Sequence, residues 1–152
     1  MKPRFGHYFR ILHSAMDQTM TGALEELDLT AAQGHIMAFL AFRPEPPCAR
    51  DIEEAFRLSH PTVSGLLSRL EKKGFIELRP DDQDRRIKRI YILPKGHNVL
   101  STMHQTMERS NQLLVQDFTE EEIALFSEFL GRAAHNIGAS CCKRKPKEEQ
   151  TP

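Results

Sequence analysis

The chain has 152 residues, 39% of them hydrophobic, and its 21 Lys and Arg are balanced by 21 Asp and Glu. This length fits one domain or two small interleaved ones. No apolar run approaches the ~20 residues that span a bilayer, and no signal peptide opens the chain, so we expect a cytoplasmic protein without membrane association. Three cysteines, Cys48, Cys141 and Cys142, form no plausible disulfide framework and are expected to be reduced thiols.

The zero net charge conceals an uneven distribution. Residues 59–95 hold nine Lys and Arg against five Asp and Glu, a net charge of +4. Residues 98–139 hold two against six, a net charge of −4. A basic segment within a neutral chain is typical of a surface that binds nucleic acid.

The first predicted element is a long amphipathic helix from Phe5 to Leu27. Its apolar residues recur every three or four positions, and the stripe is longer than a small neighbouring domain could cover. We therefore expect part of it to contact a partner chain. Two shorter helices follow, over 31–42 and 48–56, and a capping box of Thr30 and Gln33 precedes the first of them.

The next stretch predicts a short helix with one apolar side. Ser59 is a suitable N-cap, Pro61 falls in the first turn, and Gly74 follows the last turn as a stop. Because the apolar residues recur at helical spacing, that side is expected to be buried. The predicted buried side comprises Val63, Leu66, Leu67 and Leu70.

A β-hairpin and two further helices complete the predicted elements. The hairpin has a strand over 75–78, a turn over 79–84 and a return strand over 85–93. A long helix over 95–118 comes next, and a last helix runs from a capping box at Thr119 to about residue 137. Its predicted inward side comprises Ile123, Phe126, Phe129, Leu130, Ala133 and Ile137.

Four short runs give the sequence a family resemblance. They are Thr62-Val63-Ser64, Leu70-Glu71-Lys72-Lys73-Gly74-Phe75-Ile76, Asp84-Arg85-Arg86 and Leu93-Pro94-Lys95-Gly96. In this order and spacing, over about residues 5–140, the chain resembles the MarR (multiple antibiotic resistance regulator) family. Two positions depart from the pattern, since Gly65 stands where relatives often carry arginine and Pro94 where they often carry threonine.

The resemblance implies a mainly α fold with a small β-hairpin wing, a winged helix-turn-helix with long N- and C-terminal dimerisation helices. Residues 1–29 and 97–139 would supply the dimerisation helices. Residues 30–96 would form the DNA-binding domain. Residues 140–152 are expected to be a charged, disordered tail.

The expected DNA-binding residues lie on the short helix and the wing. Polar side chains and the amide groups at the helix start can reach base edges or phosphates, and small side chains allow close approach to a major groove. The resemblance implies that a wing arginine, Arg85 or Arg86, enters the minor groove, and Asp84 can orient a neighbouring arginine. The full set is Ser59, His60, Pro61, Thr62, Ser64, Gly65, Ser68, Arg69, Arg85, Arg86 and Lys88.

The expected function is a DNA-binding transcriptional regulator, a repressor that binds a pseudo-palindromic operator of double-stranded DNA as a homodimer. The resemblance implies modulation by a small aromatic or phenolic effector, and its binding residues remain unknown. The sequence has no enzyme motif and indicates no cofactor. Two alternatives stay open: a metal-responsive regulator using His35, His104 and Glu108, and a helical interaction module that does not bind DNA because Gly65 removes a phosphate contact. A redox switch at Cys141-Cys142 is a further hypothesis.

Overall fold

The computed structural model describes residues 4–138, which form six helices and one two-stranded antiparallel hairpin. This arrangement confirms the predicted class, mainly α with a small β-hairpin. In chain order the elements are α1 (Phe5–Glu26), α2 (Ala31–Ala41), α3 (Ala49–Phe56), α4 (His60–Lys72), β1 (Ile76–Pro80), β2 (Lys88–Ile92), α5 (Pro94–Leu114) and α6 (Glu120–Asn136). The expected tail and the thiols of Cys141 and Cys142 lie outside the described residues.

The described residues divide into two compact units, with the boundary between Asn111 and Gln112. The hydrophobic core belongs to the first unit, where α2, α3, α4 and the hairpin meet. The end of α1 and the start of α5 each add one buried hydrophobic residue to it, Leu24 and Val99. The buried hydrophobic residues are Leu24, Leu29, Ile36, Met37, Leu40, Ile52, Val63, Leu67, Leu70, Phe75, Ile76, Ile90 and Val99.

The predicted helix boundaries are marked by the expected local signals. The Thr30 hydroxyl accepts a hydrogen bond from the backbone amide of Gln33, and the Gln33 side-chain oxygen accepts one from the backbone amide of Thr30, which completes the capping box. Gly74 has a φ of +76° just after α4. Because glycine has no Cβ, it adopts this left-handed conformation without strain and ends the helix.

Two predicted boundaries were wrong. The hairpin was expected to turn over 79–84, but β1 continues to Pro80 and β2 starts only at Lys88, so residues 81–87 form the turn. Hydrogen bonds from the Asp81 amide to the Ile87 carbonyl (2.9 Å) and from the Ile87 amide to the Asp84 carbonyl (2.9 Å) close it. The helix predicted over 95–118 ends at residue 114, since the amides after it bond carbonyls three residues back.

The apolar side of the last helix is not covered within the isolated chain. Its apolar side was expected to be buried, yet no residue of α6 is buried in the isolated chain. Phe129 is 55% exposed and Leu130 is 37% exposed. The apolar side chains of α1 show the same pattern, with Phe5 and Tyr8 63% and 64% exposed. Within residues 4–138, no helix is both long and apolar enough to cross a membrane.

One glycine of the core has no room for a side chain. A Cβ at Gly96, in the first turn of α5, would lie 2.3 Å from the Phe75 carbonyl oxygen and 2.8 Å from Ile92 Cγ2. The Phe75 carbonyl also accepts the Leu93 amide at 3.0 Å, so it is held in place. Gly96 therefore allows α5 to start directly against the hairpin.

Replacing Gly96 with alanine should destabilise the fold by about 1–3 kcal/mol, because the added methyl group overlaps backbone and forces α5 outward. Chemical denaturation followed by circular dichroism measures this change. Gly65→Ala is the matched control, since nothing lies within 4 Å of its added Cβ. Alanine at that helical position should leave stability unchanged or raise it by up to about 1 kcal/mol. Equal stability of the two variants would contradict the packing described for α5.

Candidate nucleic-acid interface

The rotation of α4 about its axis decides which residues face solvent. Val63, Leu67 and Leu70 have exposed fractions of 0%, 3% and 0%, so one side of the helix is fixed in the core. Leu66, predicted with them, is only half-buried and packs at the edge of the core. The opposite side carries short polar side chains and Arg69. Of the predicted helix residues, Ser59, His60, Pro61, Thr62, Ser64, Ser68 and Arg69 are exposed and Gly65 is half-buried.

The start of α4 is left open to an outside partner. Ser59 occupies the predicted N-cap position, but its side chain does not cap a backbone amide. Its hydroxyl instead lies 2.9 Å from the Thr62 hydroxyl. Amide groups in the first turn of a helix have no partner within the helix, and the helix dipole makes this end positive. The start of α4 can therefore bind an anion such as a phosphate.

A carboxylate of α3 contacts the first residue of α4. Glu53 Oε1 lies 2.6 Å from His60 Nδ1. The His60 side chain is 73% exposed and that of Glu53 only 23% exposed. His60 was among the predicted DNA-binding residues and Glu53 was not, because the pairing depends on the tight turn between the two helices. Arg57 makes that turn with a φ of +53°.

Two of the predicted wing residues lie at the tip of the hairpin. Arg85 and Arg86 belong to the exposed turn, and Lys88 begins β2. Asp84 accepts two hydrogen bonds from the Arg86 guanidinium, at 3.1 and 3.2 Å, which confirms its predicted role of orienting a neighbouring arginine. The bonds from the Arg86 side chain and from its amide lower the pKa of Asp84. Arg86 remains 91% exposed.

A third arginine fastens the base of the wing. Arg89 Nε donates to Asp81 Oδ2 at 2.6 Å, and Arg89 Nη1 donates to the Pro46 carbonyl at 3.3 Å. The Ile90 amide donates to the Pro47 carbonyl at 2.9 Å, and Cys48 pairs with Arg89 as an antiparallel bridge. The loop before α3 thus continues the hairpin edge. This attachment was not predicted from the sequence, since it joins residues 43 positions apart.

These parts surround one open cleft of about 530 Å³ between α3, α4 and the wing. Its walls combine exposed polar, basic and acidic groups. They include Glu53, His60, Ser64, Ser68, Arg86 and Lys88. Across residues 4–138, no group of three or more His, Cys, Asp and Glu side chains is placed to hold a metal ion, so His35, His104 and Glu108 are not joined in such a group.

Comparisons with known proteins agree with this geometry. Residues 27–87 match the model of the MarR family. The chain is 27% identical over 124 residues to YybA, an HTH-type transcriptional regulator of Bacillus subtilis, with 81% of each chain covered. A variant of S. aureus MepR bound to an oligodeoxyribonucleotide is 30% identical, with a TM-score of 0.71 over 90% of this chain and 99% of that one. The chain belongs to the MarR family.

A second structure of MepR also contains DNA. The S. aureus MepR–DNA complex has a TM-score of 0.73 and 29% identity, over 87% of this chain and 98% of MepR. The predicted family and winged helix-turn-helix fold are therefore confirmed. The protein is a DNA-binding transcriptional regulator of the MarR type and not an enzyme.

The stability that the attachment of the wing contributes should depend on pH. Bonds from Arg89, then from the amides of Asp84 and Gln83, lower the pKa of Asp81 from its ordinary 3.8 to about 2. Because this pKa is depressed in the folded chain, the carboxylate contributes stability in full above pH 3.8 and loses it as pH falls through about 2. Asp81→Asn should abolish this contribution.

Thermal unfolding from roughly pH 5 down to pH 2 measures the contribution of the Asp81 carboxylate to stability. The wild type should lose more stability than Asp81→Asn over this range, since only the wild type has this carboxylate to protonate. Asp82→Asn is the control, because the Asp82 side chain takes no part in these bonds and its loss should leave the wild-type slope. The same slope in Asp81→Asn and wild type would contradict the assignment.

Proposed function

We propose that the protein is a homodimeric repressor that occupies a pseudo-palindromic operator. The observation that supports it best is the exposed polar side of α4, whose open N-terminal end lies beside an arginine-tipped wing. Each α4 would enter a major groove, and the two would lie about one helical turn, ~34 Å, apart. A dimer seated on a promoter would repress by blocking access to it.

The contacts divide between the helix and the wing. Arg69, Thr62 and Ser64 would reach base edges or phosphates, and the amides at Ser59, His60 and Thr62 would bind a phosphate. Pro61, Gly65 and Ser68 would allow close approach because their side chains are small or compact. On the wing, Arg85 or Arg86 would enter the minor groove, and Lys88 would contact the DNA backbone.

Exposed apolar surface supports the dimer. Monomeric proteins rarely leave large contiguous apolar patches open to water. In the isolated chain, α1 and α6 each expose several large apolar side chains, and α6 has no buried residue. We assign these helices, with α5, to the dimer interface within residues 1–29 and 97–139. The side chains concerned are Phe5, Tyr8, Phe9, Ile11, Ile123, Leu125, Phe129 and Leu130.

Phe129→Glu should convert the dimer to a monomer, because it places a charge in the proposed apolar interface. Sedimentation measures the mass, and operator affinity should fall by roughly 100-fold or more as the two half-sites are no longer bound together. Phe42→Glu is the control, since Phe42 is a similarly exposed aromatic residue, 74% exposed, outside the assigned helices. A dimeric Phe129→Glu protein would show that α6 is not the interface.

Binding to the protein's own upstream DNA and to a scrambled duplex, across a salt series, tests the function directly. The wild type should prefer its own upstream DNA and bind less tightly as salt rises. Arg86→Ala should weaken binding and reduce the salt slope by about one unit, because one counterion-releasing contact is lost. Arg43→Ala removes the same charge from the exposed loop between α2 and α3, outside the proposed DNA contacts and dimer interface, and should leave the slope unchanged.

Arg85→Ala distinguishes the two wing arginines, since only the one that contacts DNA should change the slope. If neither substitution alters affinity or slope, the wing does not bind DNA as proposed.

We also propose that a small aromatic or phenolic effector lowers operator affinity by favouring a dimer whose lobe spacing does not match the operator. The MarR-family resemblance supports this part, and the same binding assay reports it.

A further inference from the structure

The contact between Glu53 and His60 determines where the imidazole carries its hydrogen. A carboxylate accepts hydrogen bonds and cannot donate one. At 2.6 Å from Glu53 Oε1, His60 Nδ1 must therefore hold the hydrogen of this bond. The pairing joins α3 to the first residue of α4. Glu53 thus fixes both the tautomer and the orientation of the ring.

With Nδ1 engaged, Nε2 is the ring nitrogen available to an outside partner. The side chain is 73% exposed at the N-terminal end of α4 and lines the cleft between α3, α4 and the wing. In the neutral ring, Nε2 carries a lone pair and accepts a hydrogen bond. The donors exposed in a major groove are the amino groups N4 of cytosine and N6 of adenine.

We propose that His60 reads an amino group of cytosine or adenine through Nε2, and that Glu53 is the positioning residue that makes this possible. The inference rests on the proposed function, in which α4 enters the major groove. It assigns His60 a base-reading role and adds Glu53, which does not contact DNA itself.

The electrostatics of the cleft support a specific role for Glu53. Arg86 and Lys88 line the same cleft, and a carboxylate beside them weakens the attraction to phosphates that supplies non-specific affinity. The Glu53 side chain is only 23% exposed, and one of its carboxylate oxygens accepts the hydrogen bond from the imidazole. Its neighbour Glu54 is instead 68% exposed and pairs with Arg50 at 3.1 Å. Glu53 and Glu54 therefore pair with different side chains, His60 and Arg50, although both carry the same charge on α3.

This difference supplies the matched control. The proteins compared are wild type, Glu53→Ala, Glu53→Gln, Glu54→Ala, His60→Ala and the double variant Glu53→Ala/His60→Ala. Each is titrated with the upstream duplex, with a scrambled duplex, and with duplexes that carry one changed base pair at each half-site position. Thermal unfolding of each protein reports stability.

His60→Ala should lose discrimination at one base pair, by roughly fivefold, which is the lower end of the cost of a mismatch. Glu53→Ala should lose the same discrimination at the same base pair, and the double variant should lose no more than either single one. Glu53→Gln should retain it, because the amide oxygen still accepts the Nδ1 hydrogen. Glu54→Ala should keep it while binding all duplexes slightly more tightly.

Discrimination that persists in Glu53→Ala, or that Glu54→Ala also loses, would overturn the positioning role. A uniform loss of affinity for every duplex, together with a lower unfolding temperature, would show that the pair only braces α3 against α4, and would overturn it too. A wild type that binds the upstream and scrambled duplexes alike would overturn the proposed function, and with it this inference. If the wild type and Glu53→Ala discriminate equally well between duplexes that differ at one base pair, only this inference is overturned and the proposed function stands.

Discussion

The burial of one side of α4 is the constraint on which the proposed DNA-facing surface depends. Val63, Leu67 and Leu70 are inaccessible or nearly so, and a helix with 3.6 residues per turn then has no freedom to rotate. Thr62 and Arg69 must consequently face outward. Core packing thus selects which side chains of α4 are exposed and available for the proposed contacts with DNA.

The wing depends on a different kind of constraint. A two-stranded hairpin is marginally stable alone, so its position requires outside support. Arg89 supplies that support by joining Asp81 in the turn to the Pro46 carbonyl in the loop before α3. Exposed ion pairs contribute little stability on average, but this one also orders a turn and connects two segments. Arg86 is paired with Asp84 in the same turn yet stays exposed, so one arginine anchors the wing while another faces outward.

Local signals explain what the sequence predicted correctly. The apolar stripe of α4, the capping box at Thr30 and the stop at Gly74 depend on residues within one or two turns, and all are present in the structure. The hairpin turn was misplaced because strand register depends on pairing such as Pro80 with Lys88. The isolated chain leaves the apolar side of α6 uncovered, since periodicity shows that this side needs cover but not which chain supplies it.

Carboxylates on the proposed DNA-facing surface repel phosphates, yet their placement here favours selective binding. Non-specific affinity follows the number of phosphates neutralised, so each acidic residue lowers it. Glu53 and Asp84 each bond a group that faces outward, His60 and Arg86 respectively. Specificity depends on the geometry of such groups and on the ratio of specific to non-specific binding. In the proposed complex, Glu53 raises specific affinity by orienting His60 and lowers non-specific affinity by repelling phosphates, so a chain of zero net charge can bind DNA selectively.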